Sequence, residues 1–288
     1  MSSRPQPEAL ANYHCEVGEN PLWDDERQLV YWTDIPKGRL FRYDVRTGRH
    51  EQFYSGEPVG GFTIQTDGSL LLFRVNNMAR LTADGRVEVL VNNIDAEMDR
   101  FNDVAADPEG RVFAGTIVSD DKRAGLFRVD LDGSFTLLFK GTGCSNGMGF
   151  SPDLKTFYWT CTTTGRIYGF DYHRATGEIS NRRVVVQVPP NAGYADGMSV
   201  DSEGNIWSAR WDGFALYKYS PAGKEIDRIQ FPVGKVSSVV FGGANLDEMY
   251  VTTAGGKDGS DTADGTLYRL RSPVRGLPKF RSRVLLTR

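Results

Sequence analysis

The sequence predicts an all-β chain closed on itself as a six-bladed β-propeller with four antiparallel strands per blade. Two observations carry this. A strand–turn–strand unit recurs at Pro21–Thr33, Phe62–Phe73, Asp103–Gly115, Met148–Thr160, Met198–Ala209 and Val239–Thr253, with starts 41, 41, 45, 50 and 41 residues apart. A second phrase of alternating apolar and polar residues follows each unit, from Leu40-Phe41-Arg42-Tyr43 in the first to Leu267-Tyr268-Arg269-Leu270 in the last.

Within each unit the two strands are joined by a segment of hairpin composition, such as Asp24-Asp25-Glu26, Asp107-Pro108-Glu109-Gly110 and Asp201-Ser202-Glu203-Gly204. Fourth strands are legible at Val87–Val91, Phe135–Phe139, Arg183–Val188 and Ile226–Phe231. The Gly-His and Trp-Asp marks of WD40 repeats are absent, and no linker or low-complexity stretch divides residues 1–288, so one domain is expected. The segment Leu10–Val17 is expected to pair with the last blade, because an open sheet edge there is costly. The Arg-rich tail Arg275–Arg288, with Phe280, Val284, Leu285 and Leu286 interleaved, reads as a last-blade strand with a charged outer face.

With 40% apolar and 25% charged residues, the 288-residue chain can bury a substantial core. A net charge of −3 gives no general attraction to nucleic acid or to an anionic membrane. No apolar run approaches the roughly 18 residues a membrane span needs. Met1–Glu8 lacks the apolar stretch of a signal peptide. Cys15, Cys144 and Cys161 are too few and too scattered for a disulfide framework or a zinc ribbon, and a reducing cytoplasm is the simplest location. None of the three histidines heads a repeat, which argues against a Ser–His–Asp hydrolase and a histidine-bound catalytic zinc, although His14 lies near Glu19 in the chain.

In a propeller all inner strands start on one face, so the residues at their heads converge on the mouth of the central channel. These are Glu19, Gly61, Asn102, Asn146, Asp196 and Ser237 or Ser238. Two carboxylates and two amides, without histidine or thiolate, make a hard, oxygen-only set suited to calcium, magnesium or manganese. Glu19, Asn102, Asn146 and Asp196 are therefore expected to meet at a single metal site. The loops from second to third strand return to the same face and form the rim, among them Arg74–Asn77, Val118–Arg123, Cys161–Gly165, Arg210–Gly213 and Ala254–Gly265.

Five motifs in order, Gly18-Glu19-Asn20-Pro21, Arg100-Phe101-Asn102-Asp103, Asn146-Gly147 before Ser151-Pro152-Asp153, Asp196-Gly197, and Phe241-Gly242-Gly243 before Tyr250-Val251-Thr252-Thr253, make the whole chain resemble the SMP-30/gluconolactonase/regucalcin family of sugar lactonases. The resemblance implies that Glu19, Asn146 and Asp196 bind a catalytic divalent metal and that Arg100 and Asn102 hold the substrate or the attacking water. It implies calcium first, with zinc, manganese, magnesium or iron(II) as alternatives, and hydrolysis of an aldonolactone with Asp196 as general base. The polar rim residues Arg74, Asn76, Asn77 and Arg210 agree with a sugar substrate, and Trp211 can either stack on a sugar ring or pack the rim. The chain departs from the family pattern at Asn20, Phe101 and Ala195, and at Thr160-Cys161-Thr162, where many members have Thr-Asp-Ser. That last change is expected to remove a carboxylate from the pocket.

Plainer readings exist for each residue. Asp196-Gly197 and Asn146-Gly147 are, taken singly, turn dipeptides, and their common register with the other heads is what favours a site. Asp103 reads as structural. Cys144 lacks a partner histidine and reads as a small buried residue. Asp258, Asp261 and Asp264 miss the alternating EF-hand spacing and read as a solvated rim loop. Two rivals stand beside the sugar lactonase: a hydrolase of phosphotriesters or non-sugar lactones on the same site, and a non-catalytic propeller that binds calcium or a protein. A monomer or weak homo-oligomer is expected.

Overall fold

The computed structural model describes residues 6–95, 98–118, 124–255 and 264–286, and every regular element among them is a strand. Six four-stranded antiparallel sheets form a six-bladed β-propeller. The inner strands are Gly18–Asp24, Gly61–Ile64, Arg100–Ala106, Ser145–Phe150, Tyr194–Val200 and Val236–Gly242, in blades 1 to 6. In blades 1 to 5 the remaining strands follow outward in chain order.

Blade 6 is completed from the other end of the chain. Its outermost strand is Glu8–Asn12, paired antiparallel with Thr266–Arg271, and the Glu8 carboxylate meets Arg269 at 2.8 Å. The closing strand therefore begins and ends earlier than the expected segment 10–17. Tyr13 turns the chain towards blade 1, where its ring stacks on Phe41 with centroids 4.4 Å apart and its hydroxyl bonds His50 Nδ1 at 2.8 Å.

Sheets twisted like propeller blades pack face to face, so the second strands are buried on both sides while the outer strands are largely exposed. Among the described residues the core divides into six clusters, each spanning two adjacent blades. Trp207 and Phe241 join blades 5 and 6, and Phe113 stacks on Phe157 at 4.3 Å between blades 3 and 4. No helix among the described residues is long and apolar enough to cross a membrane.

At the turn end of the inner strands, opposite the heads, buried aspartates hold the hairpins. Asp107 Oδ1 accepts the amides of Glu109 at 2.8 Å and Arg111 at 3.0 Å. Its Oδ2 accepts Arg111 Nε at 2.6 Å and the Tyr172 hydroxyl of the next blade at 2.8 Å. Asp24 and Asp201 do the same work in blades 1 and 5.

The C-terminal tail is not a strand of blade 6, since Glu8–Asn12 already occupies that edge. It runs across the turn end instead. Ser202 donates to the Arg275 carbonyl, Gly276 to Leu246, Thr66 to Ser282 and Arg283 to Gly110, so the tail passes blades 5, 6, 2 and 3 in turn. Arg281 bonds Asp24 of blade 1 at 2.8 Å on the way. Its apolar residues bury singly into different clusters, Leu277 against blades 4 and 5 and Val284 against blades 2 and 3, rather than on one face of a sheet.

The Asp107 cluster carries a stability expectation. Asp107→Ala removes four hydrogen bonds and leaves the buried Arg111 guanidinium without its ion-pair partner, with only the Ala175 and Arg174 carbonyls and the Tyr172 hydroxyl to meet it, which should cost about 3 kcal/mol. The urea midpoint of the purified variant measures this, and a loss under about 1 kcal/mol would show that these bonds do not hold blades 3 and 4 together.

Candidate functional site

Five of the six inner strands contain one extra residue near the head relative to their neighbour, and the pairing shifts there. The shifts fall between Glu19 and Leu22, Phe101 and Val104, Asn146 and Met148, Ala195 and Met198, and Val236 and Ser238. A bulge of this kind bends the strand and re-aims its side chains. Glu19, Asn102, Asn146 and Asp196 all sit on or beside one. Asn20 and Asp103, inside two of the bulges, adopt φ of 49° and 53°, a region that Asn and Asp enter more readily than other side chains.

The glycines after two of these heads are required by the neighbouring strand rather than by a turn. A Cβ on Gly147 would lie 2.6 Å from the Met198 amide nitrogen and 2.7 Å from the Asp196 carbonyl oxygen, and one on Gly197 would lie 2.4 Å from Ser238 Cβ. Asn146-Gly147 and Asp196-Gly197 are thus strand residues at close approaches between blades 4, 5 and 6.

Glu19, Asn102, Asn146 and Asp196 are all buried. Asn146 donates through Nδ2 to Thr162 Oγ1 at 3.0 Å, which turns its Oδ1 inward, where Asn102 Nδ2 reaches it at 3.3 Å. Asn102 Nδ2 also donates to the Ser145 carbonyl at 2.7 Å, while its Oδ1 accepts Arg100 Nη1 at 2.7 Å. Asn102 therefore links Arg100 to Asn146, and its oxygen is already engaged. The other two heads are not donors to the site: Gly61 has no side chain, and the Ser237 hydroxyl is bonded to the Gly18 carbonyl at 2.5 Å.

The electrostatics are those of like charges held out of water. Burial raises the Glu19 pKa well above the usual carboxylate range, and the charges of Asp196 and Asp103 push it the same way against the Asn20 amide and Arg100. Asp196 is raised by burial and then by Asp103, opposed by the Gly197 amide, the Arg210 charge and a hydrogen bond from the Glu19 carboxyl. Asp103 is pushed up to about 6 by burial, against Lys279 and the Val104 amide. Burial lowers Arg100.

Such a set fits a hard divalent cation. Two carboxylates and an inward amide oxygen offer only oxygen, and a cation between them would supply the counter-charge that burial and the neighbouring acids leave them without. Among the described residues no group of three or more His, Cys, Asp and Glu side chains is arranged to hold a metal, so the set depends on the Asn146 amide to complete it.

Several sequence expectations change. Arg210 is fully buried in blade 5, its guanidinium 4.7 Å from the Tyr217 ring and bonded to the Tyr219 hydroxyl at 2.7 Å, so it is not a rim residue. Arg74 is buried and tied to Asn77 at 2.6 Å. Position 161 faces the blade 4 core, where Cys161 Sγ bonds the Thr142 carbonyl at 3.0 Å, so the Cys161 difference does not fall on the pocket. Cys144 does lie at the site, with Asn146 Nδ2 3.6 Å from its sulfur, but burial pushes its thiol up to about 12 and no histidine is near, so it stays protonated. Most of the rim loop 118–123, together with Asp258 and Asp261, lies outside the described residues. Thr162, whose hydroxyl also donates to the Ala195 carbonyl at 2.6 Å, was not singled out. Its place in a second-to-third-strand loop was the available signal.

A model of the SMP-30/Gluconolactonase/LRE-like region matches residues 17–255. Pentonolactonase XacC of Haloferax volcanii is 45% identical over 281 residues, which cover 94% of this chain and 96% of that protein. Regucalcin of Gallus gallus is 31% identical over 291 residues, covering 95% and 97% of the two chains. Among solved structures, a luciferin-regenerating enzyme superposes with a TM-score of 0.89 at 29% identity, covering 97% of this chain and all of that one. With matched residues spanning five blades and the first strands of the sixth, the chain belongs to the SMP-30/gluconolactonase/LRE-like family.

Proposed function

We propose that this protein is a divalent-metal-dependent lactonase that opens a pentono- or hexono-lactone to its sugar acid, as a step in carbohydrate catabolism. The observation that carries the reading is the convergence of Glu19, Asn146 and Asp196 at the head of the channel, with the Arg100–Asn102 pair alongside. A relative named pentonolactonase, 45% identical across 94% of the chain, supports the substrate class. Calcium is the first candidate for the metal.

In this mechanism Glu19, Asn146 and Asp196 hold the cation, which when bound polarises the lactone carbonyl and stabilises negative charge on its oxygen. Asp196 takes a proton from the attacking water on a carboxylate oxygen. Asp196 is suited to this by position, since the strand bulge before Met198 turns it into the buried head of the channel where water and lactone would meet. Arg100, fixed through Asn102, donates to substrate hydroxyls and to the carboxylate of the opened acid. Thr162 holds the Asn146 amide in the orientation that presents its oxygen.

Lactone opening followed by proton release, on freshly prepared glucono-, galactono-, xylono- and arabinono-lactones, tests the reading. Turnover above the spontaneous rate should vanish with chelator and return with one added metal. No acceleration by folded, metal-loaded protein would remove it in favour of a different ester or a binding role. Asp196→Ala should lower kcat by about a hundredfold or more and weaken metal binding while the circular dichroism spectrum is kept; near-normal turnover would remove the general base. Arg100→Ala should raise KM more than it weakens metal affinity, and the reverse pattern would take Arg100 off the substrate.

A further inference from the structure

Beneath the heads the inner strands leave a chamber of about 230 Å³, bounded above by Asn20 and Asp103 and below by the tail segment Leu277–Arg281. Its walls are mainly apolar, with Leu22, Ile64, Val104, Met148, Met198 and Val200 contributing from five blades. Asp25, Pro152 and Leu154, in the hairpins of blades 1 and 4, line its lower end, so it faces away from the carboxylate site.

Two cationic groups on the tail, Lys279 and Arg281, border this chamber. Lys279 lines the chamber, where burial lowers its pKa against the charge of Asp103, and it makes no hydrogen bond and no ion pair within 4.0 Å to any described residue. Arg281 bonds Asp24 and Asp25 through Nη2 at 2.8 Å each, with Glu26 3.6 Å from the same nitrogen, while its buried Nη1 has no partner. A buried donor left unmet in a native fold, here Arg281 Nη1, calls for an explanation, and a ligand is one.

We propose that the chamber is a binding site for a short-chain monocarboxylate, its carboxylate held by Lys279 and Arg281 and its alkyl body lying against Met148 and Met198. The size agrees: an apolar cavity of about 150 Å³ takes up benzene, and this one is half as large again. The mainly apolar walls favour an alkyl body over a polar one, which would lose water for few partners there. Asp103 at the upper end, its Oδ1 accepting the Val104 amide at 2.8 Å, repels a second negative charge, which excludes dicarboxylates and phosphate. The proposal is independent of lactone opening and of any metal at the heads.

The test is titration of full-length protein, carrying methyl-labelled methionine, with sodium hexanoate, read by NMR. The Met148 and Met198 methyl signals should move saturably and together. Hexanol, adipate and inorganic phosphate should each bind roughly tenfold more weakly or worse, the difference one charge-assisted hydrogen bond makes. Lys279→Met should weaken hexanoate binding by a similar factor, and Lys279→Arg should keep it. Unmoved methyl signals in the wild-type protein, hexanol binding as well as hexanoate, or a folded Lys279→Met variant that binds normally would each overturn the proposal. If Lys279→Met does not fold, the hexanol comparison in the wild-type protein decides it.

Discussion

Six inner strands converge on one axis, and the crowding there governs what each can carry. Gly147 and Gly197 are glycine because the next strand's backbone or Ser238 occupies the space of a Cβ, and Gly60 is glycine because the Phe101 carbonyl does. The same crowding leaves no room for long side chains to pass one another. Bulges resolve it by adding a residue to five strands just where they come closest, so that Glu19, Asn102, Asn146 and Asp196 turn inward while the strands below resume regular pairing. Packing at the axis and chemistry at the heads have one cause.

The cost of that arrangement is electrostatic. Glu19, Asp103 and Asp196 lie within reach of one another in a poorly hydrated channel, and each is harder to ionise there than in water. Arg100, Arg210 and Lys279 approach from three sides and offset part of this. Two of those cations are themselves unusual: Arg210 is sandwiched in blade 5 against tyrosines, and Lys279 arrives on the tail from the opposite face.

Much of this was legible in the chain because repetition fixes register. Six similar phrases specify six equivalent strands, and the polar residue at a given offset must then point at the axis. Residues outside the repeat were harder to place. The tail has the alternation of a strand, but a period of two records only that apolar residues are spaced for burial, and it cannot tell one sheet edge from a series of separate docking points. The repeat ends its second strand at Ala209 and so puts Arg210 on the rim, whereas the strand runs Ile206–Trp211 and the Tyr217–Tyr219 pair on the adjacent strand holds Arg210 inside, a contact with no trace in its own neighbourhood. Thr162 and Asn146 meet only because a bulge displaces Asn146, and bulges leave little sign in sequence.

The strand Glu8–Asn12 has a consequence for the birth of the molecule. Its partner, Thr266–Arg271, lies far along the chain, so Glu8 waits for a residue made some 260 positions later, as its pairing with Arg269 requires. Until then blade 6 is incomplete, and the faces of blades 1 and 5 that it covers, with Trp23 and Trp32 on one side and Trp207 on the other, have only part of their packing. Contacts this distant along a chain form slowly. A growing polypeptide of this design therefore carries a sticky, unfinished seam while the residues between the two strands are made, and its yield in the cell depends on how well that seam is shielded until they pair.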